Sequence, residues 1–271
     1  MSTEANDVTT GHDGAVPFDA LDLAHRLVAA RRSTVPVTAP PGMSKAQGTE
    51  VKSLALGLLS ENGRRRVAGY KVSMSYTWGA LTEDVVLPSP AVLRRAELFD
   101  PLVETEAVFR LHRDVSPDAS LDDIIDSAHV IPAIEVPDCR WTGWCPSDRG
   151  RFRVPTAAEL EADNALSSWL VLGSDAVPAR HLPLPDVRVT AQRNGEEIAT
   201  GMLSHVMGHP AQVVRWLAQE LAAVGEQLRA GQIVATGNPY NRLVTCPPEG
   251  GRFDAVIDGV GRATVTFTGP K

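Results

Sequence analysis

The sequence predicts an α+β fold in which a β-rich core follows a small helical N-terminal region. Two segments with helical spacing occupy the first quarter of the chain, and beyond them short β-forming runs are divided by Pro and Gly. The 271 residues suffice for one large domain or two small ones. We expect a disordered tail over 1–16, a helical region over 17–64 and a β-rich catalytic core over 65–271.

The helical region contains two predicted helices. The first begins near Asp19, and its apolar residues recur at helical spacing between Leu21 and Val28. Ser44 is placed to cap the second helix, and Gly63 is placed to end it.

The core contains runs that are rich in β-forming residues and bounded by turn residues. They are GYKVSM, VETEAVFRL, VIPAIEVP, SSWLVLG, VRVTAQRNGEEIATG, QIVATG and RFDAVIDGVGRATVTFTG. Asn194 and Gly195 predict a type I′ hairpin turn, and DGVG at 258–261 predicts a second turn of the same kind. Two helices interrupt the strands: one is capped by Ser120, and the other runs from position 209 to Gly231.

Composition excludes several classes of function. The formal net charge is −7, and the run Arg64–Arg66 is the only basic cluster, so nucleic acid is not an expected partner. No apolar run approaches the ~18–20 residues that span a bilayer, so no membrane association is expected. The cysteines are odd in number and contain no CxxC pair, which predicts a reduced, cytoplasmic protein without disulfides or a zinc cluster.

Two predicted strands carry glutamates among apolar residues. Glu104 and Glu106 lie two residues apart, so they share one face of their strand, and Glu135 lies in a second such strand. Like charges in apolar surroundings are costly, so these carboxylates must be neutralised, paired or given a cation. A solvated sheet face and a structural ion pair with Arg140 are the alternatives. If a cation binds, an all-carboxylate set suits Mg²⁺ or Mn²⁺, whereas zinc favours His or Cys.

The ordered motifs resemble those of the 2-keto-4-pentenoate hydratase and 2-oxo-3-hexenedioate (4-oxalocrotonate) decarboxylase group of the fumarylacetoacetate hydrolase superfamily. The matching pieces, over roughly residues 20–268, are GYKVSMS, WGALTEDVV, PLVETEAVF, PAIEVPDCRW, DNALSSWLVLG, PAQVVRWLAQELAAVGEQLRAGQIVATG and GVGRATVTF. The resemblance implies a mixed β-roll or barrel core. It also implies that Glu104, Glu106 and Glu135 hold Mg²⁺ or Mn²⁺.

The resemblance further implies a small 2-oxo acid or 2-hydroxydienoate as substrate. The substrate's carboxylate and 2-oxo oxygen would chelate the cation, which stabilises negative charge on the C2 oxygen. We expect water addition at the far end of the conjugated system. Loss of CO₂ from a 2-oxo-enedioate, acylpyruvate-type C–C hydrolysis and a divergent non-catalytic partner subunit are the alternatives. The family also suggests a homo-oligomer, with possible association with a related pathway enzyme.

Several further residues are candidates for the chemistry. Lys71 is expected to face inward, where burial lowers its pKa and suits proton transfer, although an exposed edge-strand lysine is the alternative. Ser167, Thr236 and Asn238 are candidate substrate-binding residues, and a simple Asn-Pro turn is the alternative for Asn238.

The sequence departs from the family between the lysine strand and WGAL. A loop that carries the family's acidic proton-transfer residue is missing there, which implies a more open pocket. Glu83 and Asp84 are the candidates to replace that residue. His205 and His209 would suit a metal only on a helix, and Pro210 argues against helix at that point.

Overall fold

The α+β fold predicted from the sequence is confirmed by a computed structural model that describes residues 17–61, 64–73 and 76–269. The predicted tail over 1–16 and the predicted helix end at Gly63 lie outside the described residues. The helices are α1 (Ala20–Ser33), α2 (Lys45–Leu59), α3 (Leu121–Asp126), α4 (Ala157–Ala162) and α5 (Pro210–Ala223). No helix in these ranges has the length and apolar character needed to cross a bilayer.

The strands are β1 (Val67–Val72), β2 (Trp78–Thr82), β3 (Val86–Pro88), β4 (Ala91–Arg94), β5 (Glu104–Leu111), β6 (Ala128–Val136), β7 (Trp169–Leu172), β8 (Val177–Pro178), β9 (Arg188–Arg193), β10 (Glu196–Met202), β11 (Ile233–Ala235), β12 (Gly251–Ile257) and β13 (Gly261–Thr268). Short 3₁₀ turns span Glu83–Val85, Arg95–Glu97, Asn164–Leu166, Ala179–His181, Leu184–Asp186 and Leu203–His205.

The two N-terminal helices begin at the residues that the sequence indicates. Asp19 caps α1, and Ser44 caps α2 in a reciprocal capping box with Gln47. The buried Lys52 of α2 binds Glu161 of α4 at 2.7 Å and donates to the carbonyl of Trp78 at the start of β2. This contact ties the helical region to the β-rich core.

Two glycines of α2 have different surroundings, so replacing each with Ala should change the stability of the fold in opposite directions. A Cβ at Gly48 would lie 2.4 Å from the Ala158 carbonyl oxygen, whereas a Cβ at Gly57 would meet nothing within 4 Å. We expect Gly48→Ala to lower the free energy of unfolding by about 1–3 kcal/mol because α4 must move. Gly57→Ala, the matched control, should raise it by about 0.5–1 kcal/mol through helix propensity. Urea denaturation measures both, and equal effects would contradict this packing.

The strands form two sheets that pack against each other. One follows the order β2-β1-β11-β5-β6-β7-β3, with β8 paired to β6, and the other follows β10-β9-β12-β13-β4. A core that includes Ile134 and Val171 from the first sheet and Phe253 and Val265 from the second lies between them. The first sheet curls, because Lys71 of β1 contacts Glu135 of β6 although two strands separate them in the sheet. Side chains from non-neighbouring strands therefore meet inside the curl.

Two turns differ in their agreement with the sequence. Asn194 and Gly195, with φ of +52° and +88°, close the hairpin between Arg193 and Glu196, as predicted. The second predicted turn is not of the same kind. Ile257 pairs with Gly261, which leaves a three-residue loop rather than a two-residue turn.

Helix α5 ends at Ala223, eight residues before the predicted end at Gly231. Gly225 adopts φ +79°, and Glu226 N–H bonds back to the Leu221 carbonyl at 2.8 Å. These are the marks of a Schellman cap, which stops a helix even where apolar spacing continues.

Candidate metal centre

Three glutamate side chains converge inside the curled sheet. Glu104 on β5 lies directly opposite Glu135 on β6, and Glu106 follows on the same face of β5. One carboxylate oxygen from each residue lies within 4.8 Å of those from the other two. Glu106 is 0% exposed and Glu135 is 1% exposed, so the solvated-face alternative fails for both.

Lys71 joins the glutamates from β1. Lys71 is 3% exposed, and its Nζ lies 3.0 Å from Oε1 of Glu135 and donates to the Ala165 carbonyl at 3.0 Å. The inward orientation expected from the sequence is therefore observed.

A loop after β11 holds the other two glutamates. The Gly237 N–H donates to Oε2 of Glu106 at 2.9 Å, and Nδ2 of Asn238 lies 3.3 Å from Oε1 of Glu104. The amide of Asn238 is itself oriented, because its Oδ1 accepts from the Tyr240 N–H at 2.9 Å. Sequence analysis predicts a role for Asn238 but misses Gly237, because a backbone N–H leaves no mark in the choice of side chain.

Burial and mutual repulsion disfavour the ionised carboxylates. Burial, with the charge of Glu135 added, raises the pKa of Glu104 to about 7 and raises the pKa of Glu106 well above its ordinary value. Burial alone would lower the pKa of Lys71, but the charges of the three glutamates outweigh it and the pKa is raised. In the metal-free protein the pKa of Lys71 therefore lies above its ordinary value, opposite to the direction that burial alone predicts.

The donor set fits a hard divalent cation. Oε1 of Glu106 and Oε2 of Glu135 are buried without a hydrogen-bond partner among the described residues, and Oε1 of Glu135 pairs with Nζ of Lys71. Leaving such acceptors unmatched is costly, and three anionic oxygens at this spacing are the ligands that Mg²⁺, Mn²⁺ and Ca²⁺ prefer. The glutamate group contains no His or Cys within the described ranges, so zinc is disfavoured.

We expect cation stabilisation of this protein to depend on pH. Between about 4.5 and 7 the folded protein holds a proton on Glu104 that the unfolded chain has lost, so the metal-free fold loses stability as pH rises. The loss is on the order of 3 kcal/mol at 1.4 kcal/mol per pKa unit. Mg²⁺ should therefore raise Tm more near pH 8 than near pH 5, measured by thermal melts with and without Mg²⁺. A larger gain near pH 5 would contradict this electrostatic account.

The two candidate hydroxyl groups bond to backbone. Ser167 is fully buried, its Oγ lies 3.4 Å from the Ala80 carbonyl, and its own carbonyl accepts from Arg140. Thr236 donates to the Ala107 carbonyl at 2.8 Å.

The structure does not bring Glu83 and Asp84 to the glutamates. Both are exposed after the end of β2, where Thr82 pairs with Val67, whereas Lys71 lies near the other end of β1. Asp84 pairs with Arg65 at 2.6 Å. The site therefore lacks the acidic replacement that we expected from chain position.

Arg140 does not pair with any of the three glutamates. Its Nε lies 2.5 Å from Oδ1 of Asp163, and its guanidinium also donates to the carbonyls of Asp138, Asp163 and Ser167. Arg140 therefore forms a structural ion pair, as one alternative predicted, but with Asp163 rather than with a glutamate of the site. The cationic side chain beside the glutamates is Lys71.

A cavity of about 230 Å³ lies near the end of β1 and the loop after β11, and none of the three glutamates lines it. Its walls include Val72, which follows Lys71 in β1, and Thr236, which precedes Gly237. His205 also lines it, and its Nδ1 lies 2.9 Å from the Pro239 carbonyl oxygen. The sequence analysis treats His205 only as a metal ligand that would require a helix.

Comparison with known proteins relates the chain to one group of enzymes. The fumarylacetoacetate (FAA) hydrolase C-terminal family matches residues 147–268. The chain is 30% identical over 242 residues to a 2-keto-4-pentenoate hydratase of Burkholderia vietnamiensis, covering 84% of this chain and 88% of that protein. It is 29% identical over 234 residues to a 2-hydroxyhexa-2,4-dienoate hydratase of Comamonas testosteroni, covering 80% and 84%.

A solved structure shares the fold. The 4-oxalocrotonate decarboxylase from Pseudomonas putida G7, complexed with magnesium and adipate, superposes with a TM-score of 0.80. The match covers 92% of this chain and 97% of that one at 24% sequence identity, so the likeness establishes the architecture.

Proposed function

The chain belongs to the hydratase and decarboxylase group of the fumarylacetoacetate hydrolase superfamily, and from this we propose that it adds water to a small 2-hydroxydienoate or 2-oxo-4-enoate acid. The observation that carries the proposal is the convergence of Glu104, Glu106 and Glu135 beside Lys71. We further propose that these glutamates hold Mg²⁺ or Mn²⁺ in the working enzyme. A divalent ion bound there would act as a Lewis acid for negative charge on the C2 oxygen.

The residues around the glutamates have separable roles in this proposal. Lys71 is a buried cation that stabilises negative charge developing on the substrate and holds a proton at Nζ. Gly237 and Asn238 orient the carboxylates of Glu106 and Glu104 by direct hydrogen bonds. These contacts exist in the protein alone, so the site is organised before substrate arrives.

The sequence relatives favour hydration over decarboxylation of an enedioate. The 2-keto-4-pentenoate hydratase and the 2-hydroxyhexa-2,4-dienoate hydratase are 30% and 29% identical to this chain. The 4-oxalocrotonate decarboxylase is 24% identical and supports the fold alone.

Incubation with 2-hydroxypenta-2,4-dienoate and Mg²⁺ tests this function. We expect loss of the dienoate absorbance, formation of the 4-hydroxy-2-oxo acid by NMR, and arrest by a chelator. A parallel incubation with 2-oxo-3-hexenedioate measures CO₂ release. Release of CO₂ without hydration of the dienoate would replace the hydratase proposal by the decarboxylase, and inertness toward both would favour the non-catalytic alternative.

We also propose that the protein is a cytoplasmic homo-oligomer. All three cysteines are free, and Cys139 and Cys246 are buried, which suits a reducing compartment. Val92 and Val154 are 66% and 68% exposed, so apolar side chains are available for contact between copies. Sedimentation velocity measures the assembly, and a monomer at micromolar concentration would contradict it.

A further inference from the structure

Three consecutive residues beside Lys71 adopt positive φ without a glycine among them. Asn164, Ala165 and Leu166 have φ of +51°, +51° and +62°. L-residues avoid this region because the Cβ crowds the following carbonyl oxygen, and Asn is the most tolerant type of the three. Such backbone persists only where its surroundings hold it in place. The run presents the Ala165 carbonyl oxygen to Nζ of Lys71, which donates to it at 3.0 Å.

The side chain of Asn164 ties this run to β2. Its Oδ1 accepts from the Ala80 N–H at 2.8 Å, and its Nδ2 donates to the Ala80 carbonyl at 2.8 Å. Since β2 is an edge strand of its sheet, the amide takes the place of a neighbouring strand. Asn164 is 3% exposed, so both bonds are buried, and their loss would leave main-chain groups of β2 unmatched.

The run also packs closely against β2 at the position opposite Lys71. Gly79 of β2 pairs with Lys71 in the register of β1 and β2. A Cβ at Gly79 would lie 2.2 Å from the Asn164 carbonyl oxygen, so a larger residue there would displace the run. The amide of Asn164 and this close approach together fix the position of the Ala165 carbonyl relative to β1.

We propose that Asn164 is a positioning residue that sets where Lys71 holds its charge, an inference that rests on the role of Lys71 in the proposed function. The lysine side chain is flexible, and its Nζ contacts Oε1 of Glu135 and the Ala165 carbonyl, both at 3.0 Å. Without the carbonyl, Nζ would follow the carboxylate of Glu135. The Ala165 carbonyl therefore directs the ammonium group, and Asn164 directs that carbonyl through Ala80.

Asn164→Gly tests this role without straining the backbone. Gly adopts positive φ freely, so the variant should fold while losing both bonds to Ala80. We expect kcat for dienoate hydration to fall about 10–100-fold, because a misplaced group costs rate even when it is still present. The affinity for Mg²⁺, measured by calorimetry, should stay at the wild-type value, since the amide of Asn164 bonds to Ala80 rather than to a glutamate.

Asn194→Gly is the matched control. Asn194 also has positive φ, at +52°, and its Oδ1 accepts from the Arg252 N–H at 3.0 Å, but it lies in the hairpin between β9 and β10. The same change there removes a comparable bond, so kcat should stay at the wild-type value. A loss of kcat equal to that of Asn164→Gly would show that only the general stability of the fold had been measured, and would overturn the positioning role.

Two further measurements separate action through Lys71 from support of the fold. In a Lys71→Met background, Asn164→Gly should lower the residual turnover by less than about twofold, because the group that Asn164 positions is gone. The chain has four lysines, so ¹H–¹⁵N spectra of the ammonium groups are simple, and the signal of Lys71 is the one absent from Lys71→Met. In the metal-free protein that signal should shift or vanish in Asn164→Gly and persist in Asn194→Gly.

The outcomes distinguish the positioning role from the proposed function. An unchanged Lys71 signal in Asn164→Gly, or an equal fractional loss of turnover with and without Lys71, would overturn the role of Asn164. A wild-type protein that hydrates no dienoate, while its Lys71 signal still shifts in Asn164→Gly, would overturn the proposed function and support the contact that Asn164 maintains.

Discussion

Glu135→Gln is expected to abolish cation binding and to lower turnover by a factor of about 1,000 or more. The carboxylate of Glu135 is buried: Oε1 pairs with Lys71, and Oε2 has no hydrogen-bond partner among the described residues, so a bound cation is what would satisfy Oε2. Gln keeps the shape of the side chain but removes the charge and turns one oxygen into a donor that faces Lys71. Calorimetric titration with Mg²⁺ and the dienoate assay measure the two losses.

Matched variants define what this result means. Glu196→Gln makes the same chemical change at an exposed residue and should leave binding and turnover at wild-type values. Glu104→Gln should weaken binding yet raise the Tm of the metal-free protein near pH 8, because it removes a carboxylate whose pKa is raised to about 7. Normal Mg²⁺ affinity in Glu135→Gln would show that the glutamates are not the cation site.

Arg140→Met should lower the free energy of unfolding by about 3–5 kcal/mol. Arg140 is 2% exposed and bonds to the carboxylate of Asp163, so its loss leaves a buried, unpaired charge. The same guanidinium holds the backbone carbonyls of Asp138 and Ser167. Because the Ala165 carbonyl accepts from Lys71, loosening this segment should also reduce turnover.

Urea denaturation of the folded variant measures that loss. Arg151→Met is the control, because Arg151 has a side chain that is 81% exposed, and its effect should stay within about 0.5 kcal/mol. The double variant Arg140→Met with Asp163→Asn should recover part of the stability, since it removes both charges. Equal effects of Arg140→Met and Arg151→Met would contradict the buried network.

The sequence predicted which carboxylates share a face but not how they meet. The two-residue spacing of Glu104 and Glu106 fixes their common face whatever the partner strand. The position of Glu135 opposite Glu104 depends on strand register, which tertiary pairing determines. The contact with Lys71 depends on the curl of the sheet, so the sign of the lysine pKa shift could not be obtained from local sequence.

Glu83 and Asp84 were chosen as proton-transfer candidates because they are close to Lys71 in sequence, but they are not close to it in the structure. Glu83 and Asp84 follow the lysine strand closely in sequence, but β2 runs antiparallel to β1 and carries them to its opposite end. The end of α5, in contrast, could have been predicted from local sequence. Gly225 readily adopts the left-handed conformation that ends a helix, but the apolar spacing that continues beyond it favoured a longer helix.

The parallel pairing of β1 with β11 has a consequence for synthesis on the ribosome. Gly69 lies opposite Ile233, so one edge of β1 has no sheet partner until most of the chain has been translated. A nascent polypeptide would expose that edge, and such open strands invite association between chains. Expression at low temperature or with a chaperone that shields unfinished chains should therefore improve the yield of correctly assembled protein.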